Sequence, residues 1–122
     1  MRSLVVALLV GVLALTVAAP ALAADMVGCD HPMEPTLESL HHCVMHAAEQ
    51  GIVDNSGVAT SLLSKVGAAQ LAYDRGQSAA AAKIVQAFIL ELQAQSGKHI
   101  APDHAQHMTD HAVMVIEALL ES

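Results

Sequence analysis

The chain is 122 residues long and carries twelve acidic against five basic side chains, a formal net charge of −7 with its eight histidines neutral. That balance excludes nucleic acid and offers no basic patch to an anionic membrane, whereas carboxylates and imidazoles together attract cations. With one phenylalanine, one tyrosine and no tryptophan, a chain of this size makes a single domain with a modest core.

Residues 1–23 read as a cleaved secretory signal peptide. Arg2 supplies the positive start, "LVVALLVGVLALTVAA" the apolar stretch, and Pro20 followed by Ala21-Leu22-Ala23 the small-x-small cleavage site. "MVGC" at 26–29 loosely matches the motif that precedes a lipidated cysteine, but Asp25 interrupts the apolar run such a signal needs. The expected product is a secreted or periplasmic domain, residues 24–122, with no membrane segment after cleavage. Outside the cytoplasm Cys29 and Cys43 are expected to form a disulfide, which in the chain-entropy model contributes about 3 kcal/mol. The competing use of the same residues is a Cys₂His₂ set, Cys29-x-His31 with Cys43-x-x-His46.

Residues 24–35, with two prolines and a glycine, form an irregular arm that Pro35 converts into a helix start. The first helix is predicted over 36–50, with Leu37, Leu40, Val44 and Ala47 in one apolar stripe, Cys43 at its margin and Gly51 as the stop. A second helix, capped by Asn55 or Ser56, covers 56–75, where Val58, Leu62, Val66, Ala69 and Tyr73 recur at helical spacing before Gly76. Ser78 caps a third over 79–96, whose "AAAAKIVQAFILEL" is apolar around most of its circumference and so is expected to be the most buried. After Gly97 the fourth runs over 102–120, with Ala105, Met108, Ala112, Val115, Ile116 and Leu119 inward. No stretch alternates as a strand does. The predicted fold is therefore all-α, a small antiparallel up-and-down bundle of four helices joined by short connections.

"SLLSKV" at 61–66, "AAQLAYDRGQ" at 68–77 and "AFILELQAQSGKHI" at 87–100 resemble the FIMAH-type helical domain, a small bundle appended to extracellular proteins of bacteria and archaea. The resemblance runs from about Gly51 onward and leaves the cysteine- and histidine-bearing arm and first helix as an addition. It implies a non-catalytic accessory module and brings no catalytic motif with it.

Chemistry concentrates in two histidine blocks, "HHCVMH" at 41–46 and "HAQHMTDH" at 104–111. On a helix His104, His107 and His111 fall within about 60° of one another, and His42 and His46 stand one turn apart, close enough for two imidazoles to reach one ion. Nitrogen donors outnumber clustered carboxylates, so the expected ion is zinc or copper rather than calcium or magnesium. A single histidine on a helix face is more often merely solvated, and His31, His41 and His99 are weaker candidates. Met45, Met108 and Met114 read as packing. No H-E-x-x-H, G-x-S-x-G or phosphate-binding loop occurs. The expected function is thus an exported, non-enzymatic protein binding a divalent transition metal through His104, His107, His111, His42 and His46. The alternative is an accessory module that docks on another envelope or extracellular protein and has no metal role.

Overall fold

The computed structural model describes residues 34–122. The expected signal peptide, most of the arm and Cys29 lie outside the described residues. Four helices follow in order: α1 Leu37–Glu49, α2 Ser56–Asp74, α3 Ser78–Gln95 and α4 Pro102–Glu121. The fold is an all-α bundle, with no strand among the described residues.

Local chemistry sets the helix ends. Thr36 is extended and its hydroxyl accepts from the Ser39 N–H at 3.0 Å, with Glu38 in the first turn beside the positive end of the helix. Asn55, rather than Ser56, caps α2, its side-chain oxygen accepting from the Val58 N–H at 3.0 Å. The expected Ser78 cap does not form. Ser78 is already helical, Gln77 precedes it with no side-chain cap, and the Ser78 hydroxyl instead meets that of Ser122 at 3.1 Å. Gly76 and Gly97 end α2 and α3 at φ of 78° and 81°, a left-handed conformation that costs other residues strain.

Packing closes a ring. α1 lies on α2, α2 on α3, α3 on α4, and α4 returns to α1 across the slightest seam of the four. Phe88, Leu40, Leu62, Leu92, Val44, Val66, Val85 and Val115 fill the centre. Fully buried Ala69, Ala81 and Ala112 let the helix backbones come close. Val53 and Ile100 form an antiparallel bridge that plugs one end of the bundle, backed by the Asp54 N–H on the His99 carbonyl at 3.0 Å and by His99 Nδ1 against Asp54 Oδ1 at 2.9 Å.

One expectation about the core needs correction: Tyr73 is 41% exposed and Ala72 takes the inward place. Ile116 packs against the core, though only partly covered. α3 packs against both α2 and α4, yet leaves Leu90 66% exposed. Among the described residues no helix is long and apolar enough to cross a membrane.

Candidate functional site

α1 and α4 carry six of the chain's eight histidines, and their seam is where the two blocks meet. Cys43 shares the inward side of α1 with Leu40, Val44 and Ala47 and is 1% exposed. Opposite it His111, also 1% exposed, lies on the inward side of α4 among Met108, Ala112 and Val115. The Cys43 sulfur stands 3.6 Å from His111 Nδ1.

The other ring nitrogen defines the tautomer. His111 Nε2 lies 2.7 Å from the carbonyl oxygen of Glu34, just before α1. A carbonyl only accepts, so Nε2 carries the hydrogen and donates it, and the Nδ1 lone pair of the neutral ring faces the Cys43 sulfur. Burial holds the His111 pKa below its ordinary value of 6.5, the Glu34 carbonyl opposing this and the neighbouring His107 charge adding to it.

The remaining histidines are placed differently. His104, His41 and His42 are exposed, and His46 and His107 partly so. His41, His42 and His46 border an open groove of about 650 Å³ on the outer side of α1, together with Glu34, Glu38 and Met45. The expected set of His104, His107 and His111 therefore shares no single open face, since His111 is turned into the core and His104 into solvent. Among the described residues no three metal-type donors converge on one point.

Sequence reasoning placed Cys43 at the edge of its stripe and His111 beside Met108, and missed that the two face each other. The helical period contained a signal: His111 lies three residues after Met108 and four before Val115, both inward-facing positions. The Glu34 carbonyl has no signal, being a backbone atom in a proline-bounded arm. Cys29, the expected disulfide partner of Cys43, lies outside the described residues.

The family model of the FIMAH domain matches residues 37–117. The match takes in all of α1, so this helix is part of the domain rather than an addition in front of it. No curated protein and no solved structure is significantly similar to the chain.

Proposed function

The chain belongs to the FIMAH domain family, and on that premise we propose that it is an exported, non-catalytic module that binds zinc or copper through donors carried by α1 and α4. One observation carries the proposal: the two donor-bearing blocks, far apart in sequence, share the α1–α4 seam, where a thiol and an imidazole of fixed tautomer face each other. Sulfur and nitrogen donors select zinc or copper over calcium and magnesium. The net negative charge raises the local concentration of cations.

A thiol facing an imidazole also outlines a nucleophile and its base. Here both groups are 1% exposed, and a substrate has no access to the sulfur, which favours a binding role over catalysis. The signal-like residues 1–23 support export. The antiparallel order is supported by the two bundle ends: α4 leaves the Val53–Ile100 bridge, and its last residues return to the start of α3 through Ser122 and Ser78.

Elemental analysis of protein purified from its native compartment tests the function, followed by calorimetric titration with zinc and copper after chelation. About one ion per chain is expected, with binding that weakens as pH falls and protons compete with the metal for the thiolate and the imidazole. Absence of any ion, with no heat on titration, returns the protein to the second reading, an accessory module that docks on another envelope or extracellular protein. The exposed Leu71, Leu90 and Leu120 favour that reading. Retention of a specific partner from envelope extract by the metal-free protein is its test.

A further inference from the structure

We propose that a pocket at one end of the bundle, between the start of α1 and the last turns of α2 and α4, receives an arginine side chain of a partner protein, with the Glu38 carboxylate and the Tyr73 ring as its recognition groups. The inference rests on the docking reading of the protein and not on the metal, since neither Cys43 nor His111 lines this pocket.

The pocket holds about 240 Å³. That is room for one long side chain rather than a whole small-molecule ligand, whose sites run to about 300–1,000 Å³. Pro35 and three buried core residues, Leu37, Val115 and Leu119, make part of its lining apolar. Such walls suit the methylene stem of a long basic residue, which packs against apolar surface while its charged head stays near water.

The polar lining selects the head group. Glu38 is exposed and has no ion-pair partner among the described residues. The Gln70 amide nitrogen donates to Asp74 Oδ1 at 2.9 Å, so its carbonyl oxygen is the end left to accept. Tyr73, 41% exposed, offers an aromatic face to a cation. The last turns of α2 and α4 add the negative ends of two helix dipoles, against one positive end at α1 that Thr36 already caps. No lysine or arginine lines the pocket. Acceptors and negative charge without a cation call for a donor-rich cation. A planar guanidinium meets a carboxylate at two points and stacks on a ring, which a compact ammonium does not.

The partner's backbone has a course beyond the pocket. Leu37, Glu38 and Gln70 also line a groove between α1 and α2 that reaches Gly67. Gly67 lies in the interior of α2, where glycine weakens a helix relative to alanine. Yet a Cβ there would meet nothing among the described residues within 4 Å. Internal packing thus gives no reason for the glycine, whereas a chain laid close along the groove does.

The test is an NMR titration of the purified protein with a short glycine-serine peptide carrying one central arginine, beside versions with lysine and with uncharged citrulline. The arginine peptide is expected to shift the signals of Tyr73 and Gln70, and the other two to bind more weakly. Glu38→Gln and Tyr73→Leu are each expected to weaken the arginine peptide by about three- to fivefold. Glu49→Gln, the same loss of charge at the other end of α1, is expected to leave it unchanged. Gly67→Leu is expected to weaken the peptide while thermal stability holds or rises, a split that a purely structural role does not produce. Equal binding of the citrulline or lysine peptide overturns the inference, as does the absence of shifts at Tyr73 and Gln70. Equal weakening by Glu38→Gln and Glu49→Gln overturns it too, because it marks attraction to net charge alone. If a partner from envelope extract is retained equally by the unaltered chain and by Glu38→Lys, docking stands and this pocket is not its place. If neither partner nor peptide binds, both readings fall.

Discussion

His111 satisfies both ring nitrogens inside the protein, one on a backbone carbonyl and one against a thiol. Its replacement by alanine opens a cavity and strips two polar partners at once, and is expected to cost about 2–4 kcal/mol in urea unfolding. His104→Ala, at an exposed position of the same helix, is expected to stay within about 0.5 kcal/mol of the unaltered protein. Acid distinguishes them further. In metal-free protein the folded-state pKa of His111 lies below 6.5 because burial disfavours the charged ring, so between those two pKa values the unfolded chain binds more protons. The stability contributed by neutral His111 is complete above about pH 6.5 and is lost as pH falls from there toward the lower folded value. Urea midpoints measured from pH 7.5 to 5 are expected to decline, and the decline to flatten in His111→Gln.

At the scale of the helices, the ends differ in what holds them. Asn55 caps α2 through its side chain, and Asn55→Ala is expected to cost about 1 kcal/mol in chemical denaturation. Ser78 looks like the same kind of residue in the sequence, yet its hydroxyl caps nothing and meets Ser122 on the surface. Ser78→Ala is therefore expected to change stability by less than about 0.5 kcal/mol. Gly76 turns the chain at φ 78° with open space around it, so Gly76→Ala tests backbone strain without a clash and is expected to cost about 1 kcal/mol.

The whole molecule depends on a ring of four helices around one large aromatic. Phe88 is fully buried at its centre, and Phe88→Ala is expected to remove about 3–5 kcal/mol. A domain of this size holds only about 5–15 kcal/mol in all, so thermal unfolding should begin more than about 10 °C lower, as differential scanning calorimetry would show. The slight α1–α4 seam is the least supported joint of the ring. It is also where Cys43 and His111 face each other, so an ion bound there, as proposed, would stabilise the joint that packing secures least. Stability measured with and without zinc links the site to the fold at this scale.

Helix number, the glycine-marked helix stops and most of the core were determined by the sequence alone, because each depends on neighbours within a turn or two. Leu37, Leu40, Val44 and Ala47 declare their shared face by spacing, and Gly51, Gly76 and Gly97 punctuate the chain where it turns. Outward positions were less legible. Leu90 and Tyr73 are apolar enough to suggest burial, but whether a neighbouring helix covers them depends on how the ring closes. The site lay furthest from local reasoning. Spacing groups His111 with His104 and His107 along one helix, whereas the tertiary structure separates them by placing α1 against one side of α4 and bringing Cys43 and the Glu34 carbonyl to the two nitrogens of a single ring. That choice belongs to the fold, because a contact between residues 68 positions apart and a bond to a backbone oxygen exist only once the helices have packed.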